Sequence, residues 1–381
     1  MSGAQSFAVM GWCPGALRPM MSGDGLVVRV RPLGGRLSAA QAAGIAAAAH
    51  AHGNGLIDLS ARGNVQLRGV TQTSHPALID DLCRLGLIDP DAVAEAGRNV
   101  LVTPFADAVT DDLAAALADA LRDAPLLPAK FGFAVDSGAA PVLQGIAADI
   151  RLERTLDGGL ILRCDGAELG AQVTVHEAPA RAVALAQWFV EVGGVSDGRG
   201  RMAALIRRGT LPVGALAGTM RPAKAFAAPA PGLVAQGALV GFAFGQMGYQ
   251  TLAALAELGN LRVTPWRMLL IEGAQTPPDL PDLILTPDDP LRRVVACTGA
   301  PGCLQAHGPV RDLARRLASQ VPQGRLVHVS GCAKGCAHPS RADITLVASP
   351  QGFDLIRGGC AQDAPEVKGL SESAILARGP F

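Results

Sequence analysis

The sequence predicts an α+β fold built around an internal duplication, with a thiol-bearing unit near the C-terminal end. Two observations predict it. Residues 25–69 and 232–273 are two versions of one unit, and such doubling sets an architecture. Cys297 and Cys303 stand in a C-x5-C, and Cys332 and Cys336 in a C-x3-C, each where the apolar pattern marks a strand end.

Each copy opens on Gly-Leu-Val as a strand, passes through a glycine-rich turn and an alanine-rich helix, and ends in two strands. In the first copy Ser38 and Gln41 have the spacing of a capping box, which starts the helix there. The closing segments align without a gap, Ile57–Gly69 against Leu261–Gly273. Side chains alternate along a strand, so Asn64, Gln66 and Arg68 share one face while Val65 and Leu67 take the other. Arg29 and Arg31 lie on the opening strand, and Arg62 precedes the polar row. The second copy carries Trp266, Met268, Leu270 and Glu272 at the positions of Arg62, Asn64, Gln66 and Arg68. Loss of the polar face in the twin points the first copy at a ligand. Guanidinium forks on a rigid strand suit carboxylates or phosphates.

Around the thiols, Val294–Ala296 predicts a strand running into Cys297. Gly308-Pro309 marks a helix start, and Val310, Leu313, Ala314, Leu317 and Ala318 repeat at helical spacing with Arg311, Arg315 and Arg316 off the stripe. Leu326–Ser330 predicts the strand that delivers Cys332, and Ile344–Ala348 another. Gly299, Gly302, Gly331 and Gly335 allow backbone to approach a bulky inorganic core. Structural zinc prefers shorter gaps between paired thiols than x5, whereas four thiolates at looser spacing suit a [4Fe–4S] cluster. From spacing alone, zinc and unrelated thiols stay open. Cys13, Cys83, Cys164 and Cys360 stand alone.

Composition narrows the partners. Lys plus Arg and Asp plus Glu are 33 each among 381 residues, for a net charge of zero, which gives no long-range pull on nucleic acid or anionic lipid. Aromatics are 4% with one Tyr, too few to stack single strands. Residues 225–256 lack charge, but Pro229, Pro231, Gln236 and Gln246 interrupt them, so a buried core segment is expected rather than a membrane span. The opening MSGAQSFAVMGWCPGALRPM lacks the layout of a secretory leader, and eight dispersed cysteines do not make a disulfide scaffold. A cytoplasmic location is the expectation.

With these residues in view, the chain from about 20 to 360 resembles the sirohaem nitrite and sulfite reductase superfamily. The motifs are the two thiol pairs, Arg62-x-Asn64-x-Gln66-x-Arg68, Gly97-Arg98-Asn99-Val100 and Leu127-Pro128-Ala129-Lys130-Phe131. The resemblance implies two ferredoxin-like half-domains about a pseudo-twofold axis, expected at 15–85 and 225–285. Two α+β repeats, expected at 90–215 and 286–381, complete it, the last holding a [4Fe–4S] cluster on Cys297, Cys303, Cys332 and Cys336. It further implies that a tetrapyrrole with eight carboxylates is held by Arg62, Gln66, Arg68, Arg98 and Lys130. The reductases typically read Arg-Lys-Phe-Lys where this chain has Ala129-Lys130-Phe131-Gly132, and the two missing cations argue against sulfite or nitrite reduction.

Ser330-Gly331-Cys332-Ala333-Lys334-Gly335-Cys336-Ala337-His338-Pro339 is similar to the precorrin-3B synthase branch, as is Leu261-Arg262-Val263-Thr264-Pro265-Trp266-Arg267. That likeness implies an oxygen-dependent monooxygenase of aerobic cobalamin biosynthesis. It would hydroxylate precorrin-3A at C20 with γ-lactone closure, aided by a mononuclear non-haem iron and an electron donor of unknown identity. Arg29, Arg31, Asn64 and Lys334 join the expected substrate contacts. His338 is the first candidate for the iron and a catalytic role, His307 the second; His50, His52, His75, His176 and His328 show no facial-triad spacing. A sirohaem-dependent reductase and a non-catalytic four-thiolate protein are the alternatives.

Overall fold

The computed structural model describes residues 14–379. Cys13, most of the opening segment weighed above for a leader, and the last two residues of 286–381 lie outside the described residues.

The first unit runs β1 (Met20–Ser22), β2 (Gly25–Val30), β3 (Arg36–Leu37), α1 (Ala39–His52), β4 (Leu56–Leu59), β5 (Val65–Val70), α2 (His75–Arg84) and α3 (Ala92–Gly97). Ser38 caps α1 reciprocally with Gln41, as the spacing predicts. In the antiparallel sheet Arg29 pairs with Gln66 and Asp58 with Gln66, so these polar side chains share a face. The other face, Val28, Val30, Ile57, Leu59, Val65 and Leu67, is buried under Ile45, Leu78 and Leu82 of the helices.

The middle segment supplies β6 (Val100–Val102), α4 (Ala108–Ala120), β7 (Phe133–Asp136), β8 (Ile150–Arg154), β9 (Leu160–Cys164), β10 (Ala171–Val173), α5 (Ala178–Glu191) and α6 (Met202–Arg207). Then comes the second copy, β11 (Gly232–Val234), β12 (Gly237–Phe242), β13 (Gln246–Gly248), α7 (Tyr249–Glu257), β14 (Leu261–Val263) and β15 (Met268–Glu272), followed by β16 (Leu283–Ile284). One core joins the copies: Leu252, Leu255, Leu261 and Ile271 pack into the same cluster as Ile45 and Leu67. The copies also exchange edge strands, β13 pairing with β4 and β3 with β14. This exchange crosses the division expected between 15–85 and 225–285. The pseudo-twofold extends to backbone detail, since Gly34 and Phe244, each just before an exchanged strand, both sit at φ 60°.

One expected correspondence is corrected. Gly232-Leu233-Val234 is not the counterpart of Gly25-Leu26-Val27. It forms β11, the twin of β1, and Gly237 answers Gly25: Ser22 faces Gly25 in one hairpin, and Val234 faces Gly237 in the other. The tripeptide likeness marks the wrong arm of a hairpin.

The last segment holds β17 (Val294–Ala296), α8 (Arg311–Leu317), β18 (Val327–Ser330), β19 (Ala342–Ser349), β20 (Gly352–Gly359), β21 (Val367–Leu370) and α9 (Glu372–Arg378). Its sheet order, β17-β18-β19-β20-β21, reproduces the middle sheet's β6-β7-β8-β9-β10, with the first three strands parallel in each. Ligands gather at the carboxyl ends of parallel strands, and Cys297 and Cys332 follow β17 and β18 there. The same points of the middle sheet carry Thr103 and Gly138, without a thiol. Among the described residues no helix is long and apolar enough to cross a membrane.

Candidate functional site

The two thiol loops interlock. Gly331 donates its N–H to Cys297 Sγ at 3.2 Å, and His307 donates its N–H to Gly331 O at 2.8 Å. A Cβ on Gly331 would lie 2.7 Å from Ala306 Cβ and 3.3 Å from Gly299 Cα, so only glycine lets the loops close. Cys297, Cys303 and Cys332 are half-buried and Cys336 is exposed. Burial raises the pKa of Cys332 and Cys336, the neighbouring Cys297 and Cys303 add to the rise, and Lys334 offsets part of it. The four thiols therefore share one electrostatic neighbourhood.

The polar face of the first sheet meets these loops. Arg68 donates from Nε to Asp24 at 2.8 Å, from Nη1 to Asp58 at 3.2 Å, and from Nη2 to Gly302 O at 2.8 Å. Burial works against its charge, but Asp24 and Asp58 outweigh it and hold the pKa above the ordinary arginine value. These donors are committed inside the protein, so Arg68 fastens the cysteine loop and is not presented as a ligand clamp. Asp58 also accepts from Gln246 of the second copy at 2.9 Å. In the twin sheet Leu239, Met268 and Leu270 pack on Phe105 and Trp266, and Arg262 and Glu272, at the positions of Asp58 and Arg68, form an ion pair of reversed polarity that Asp111 completes.

At the other end of that face a cavity of about 1140 Å³ opens. Arg31 and Arg98 line it with Arg18, Arg36 and Arg122, and so do the carboxylates of Asp89, Asp91, Glu95 and Asp119. Arg31 donates to Glu95 O at 2.7 Å. Arg98 makes a two-point pair with Asp89, 2.8 Å on each arm, and donates to Arg31 O at 3.0 Å. Glu95 is itself fixed by the N–H groups of Ala16 and Leu17. Arg62 stands beside a small crevice with Asn99, Leu101 and Gly132 and donates to Lys130 O at 3.2 Å, leaving the Lys130 side chain exposed. Arg29 and Asn64 are buried on the polar face, and Gln66 is half-buried.

Residues 18–85 match the nitrite/sulfite reductase ferredoxin-like half domain. A curated relative from Sinorhizobium sp, named precorrin-3B synthase, is 31% identical over 399 aligned positions, which cover 93% of this chain and 84% of the relative. The chain belongs to the precorrin-3B synthase family. Its fold is the nitrite/sulfite reductase-like α+β architecture: the Mycobacterium tuberculosis NirA protein superposes with a TM-score of 0.60 at 20% identity, covering 88% of this chain and 74% of that one.

For this family member the donor set can be tested against an iron–sulfur cluster. Among the described residues no three Cys, His, Asp or Glu side chains converge closely enough to hold a single metal ion. A cubane interposes its own irons and sulfides between four thiolates, and the thiol loops offer what such a core needs: the close approach that Gly331 and Gly299 allow, and a backbone N–H aimed at Cys297 Sγ. His338 is drawn off by a 3.1 Å contact between Nε2 and Arg341 O, and no second histidine or carboxylate completes an iron triad with it among the described residues. Its ring lies 5.9 Å from that of His328. His328 is fully buried, and neither ring nitrogen has a partner among the described residues.

Four contributors escaped the sequence analysis: Asp24, Asp58, Glu95 and Arg311. Arg311 was placed off the apolar stripe of its helix, yet its guanidinium donates to Cys297 O at 3.1 Å. For Asp58 a signal existed, because strand alternation sets it on the same face as Gln66.

Proposed function

We propose that this chain is an oxygen-dependent monooxygenase that converts precorrin-3A to precorrin-3B by hydroxylation at C20 and closure of the ring-A acetate to a γ-lactone. The observation that carries this reading is a polar strand face that reaches the thiol loops through Arg68 and, through Arg31, borders a cavity lined by five arginines and four carboxylates. At about 1140 Å³ it exceeds the roughly 300–1,000 Å³ common for small ligands, in keeping with a macrocycle bearing eight carboxylates. The face from Asn64 to Arg68 spans four residue steps, about 13 Å of strand, and links the cavity end at Arg31 to the cysteine loop.

Arg31, Arg98 and Arg62 would bind the carboxylates, with Asn64, Gln66 and Arg29 orienting the ring edge. Charge-assisted, forked contacts are about twice as strong as neutral ones and fix direction, and several together hold one meso carbon in register with the oxidant. Lys130, being exposed, would meet a carboxylate at the rim, and Lys334 would offset charge beside the thiols. Cys297, Cys303, Cys332 and Cys336 would hold a [4Fe–4S] cluster, which when bound supplies single electrons. Cys336, the exposed thiol of the four, is the one a bound macrocycle would approach. Dioxygen provides the new hydroxyl oxygen, and two electrons from an external donor with two protons carry its second atom to water.

Incubation of the iron-loaded protein with precorrin-3A, a reductant and ¹⁸O-labelled dioxygen tests this. One labelled oxygen atom in the product is expected, and no product without dioxygen. Product formed anaerobically would overturn the reading, and strong visible sirohaem bands in the purified protein would favour a reductase.

A further inference from the structure

Two guanidinium groups touch the Cys297–Cys303 loop from the protein side. Arg68 reaches Gly302 O, and Arg311 reaches Cys297 O, at 2.8 and 3.1 Å. Asp58 stands between them, 3.2 Å from Arg68 Nη1 and 3.7 Å from Arg311 Nη2, with Asp24 on the far side of Arg68 at 2.6 Å. The charges therefore alternate Asp24, Arg68, Asp58, Arg311 through a largely buried seam. The side chain of Arg311 is 14% exposed, and its guanidinium carbon lies 6.0 Å from the centre of the Phe244 ring. Three parts of the chain meet at this point: β4 through Asp58, the second copy through Phe244, and α8 through Arg311.

An arginine stays charged at all accessible pH. A fixed positive charge in a poorly solvated setting favours the more negative, reduced form of a nearby redox group, and net charge together with hydrogen bonding is what sets cluster potentials. Of the two cations, Arg311 bonds the ligand residue Cys297 itself. We infer that Arg311, anchored by Asp58, is the positioning residue that fixes the backbone at Cys297 and raises the reduction potential of the cluster. This rests on the cluster reading above.

The test is a potentiometric titration of the holoprotein followed by electron paramagnetic resonance, with iron and sulfide counted for every sample. Arg311→Gln is expected to keep its iron and shift the potential negative. Arg311→Lys, which retains charge but loses the planar fork, should fall between the two. Asp58→Asn removes the opposing charge and should shift it positive. Opposite signs for Arg311→Gln and Asp58→Asn separate an electrostatic role from simple loosening, which would move both variants the same way. An unchanged potential in Arg311→Gln, or a same-direction shift in both, overturns the inference. Should Arg311→Gln lose its iron, Arg311→Lys decides: a potential near that of the parent supports the inference, and a shift as large as that of Asp58→Asn overturns it. A parent protein lacking both iron and sulfide would defeat the cluster reading first, and this inference with it.

Discussion

Arg68 and Gly302 are joined by a 2.8 Å hydrogen bond between β5 and the loop that separates Cys297 from Cys303. The Gly302 carbonyl also accepts from Ser22 Oγ at 2.5 Å and from the Gly23 N–H at 3.3 Å. One carbonyl thus collects three donors from the first half of the chain, and the position of the cysteine loop is set by residues that are remote from it in sequence. The polar strand face is the mount of the thiol loop.

Arg68→Ala should destabilise the protein and reduce its iron content together. Removal leaves Asp24, 16% exposed, without its cation and Asp58, 11% exposed, with Arg311 at 3.7 Å, and breaking one partner of a buried ion pair costs about 3–5 kcal/mol. Partial exposure of both carboxylates places the expected loss at the lower end. Urea unfolding with iron analysis checks it; full stability with full iron would show that the network does not hold the loop.

Gly23→Ala tests the same docking by shape. A Cβ there would lie 1.9 Å from Pro301 O, a contact that only movement of the β1–β2 turn or of the cysteine loop can relieve. Overpacking of this kind costs about 1–3 kcal/mol. The expected result is a lower iron count per chain with an unchanged far-ultraviolet circular dichroism spectrum. Wild-type iron occupancy would mean that the turn yields without disturbing the loop.

Arg98→Ala addresses the cavity. In the ligand-free protein Arg98 is paired with Asp89, so a substrate carboxylate must compete for it. Hydrogen bonds to charged groups contribute about 1.5–3 kcal/mol, hence roughly a tenfold to hundredfold weaker tetrapyrrole affinity, with iron content unaffected. Arg62→Ala should weaken binding as well while leaving stability nearly intact, since it gives up one hydrogen bond to Lys130 O. Fluorescence or absorbance titration reads both, and affinities matching the parent would remove these residues from the binding role.

The strand supporting the site was legible because alternation alone separates Asn64, Gln66 and Arg68 from Val65 and Leu67, and the core faces of β5 and α1 follow the same rule. The thiol pairs were legible because few tasks other than metal binding need four cysteines at the ends of two strands. What stayed hidden depends on pairing across the chain. Arg68 looks like an outward fork until Asp24, 44 residues away, is found against it. Arg311 looks like a solvated helix arginine until the fold carries β4 and Phe244 to it. The doubled hairpin was misregistered by three residues of local likeness, because Gly237, not Gly232, opens the second arm of its hairpin as Gly25 does.

Two buried groups give the acid limb of stability a distinctive form. Burial pushes Asp136 up to about 6 from 3.8, with Glu153 adding to the rise and N–H groups of Val142 and Leu143 opposing it. Burial likewise pushes His328 down to about 4 from 6.5, assisted by His338. For Asp136 the folded state binds more protons than the unfolded state between pH 3.8 and 6, so its contribution falls as pH rises, by about 3 kcal/mol in all. For His328 the unfolded state binds more protons between pH 4 and 6.5, so its contribution rises with pH by about 3 kcal/mol. Across the shared window the two oppose one another. Asp136→Asn should therefore unmask the histidine, its stability relative to the parent increasing by about 3 kcal/mol from pH 4 to pH 6. His328→Phe should show the reverse, losing ground to the parent over the same range. Urea midpoints for the three proteins at a series of pH values measure these differences, in which groups common to all of them cancel. Parallel pH profiles would mean that neither group is held in its unfavoured state by the fold.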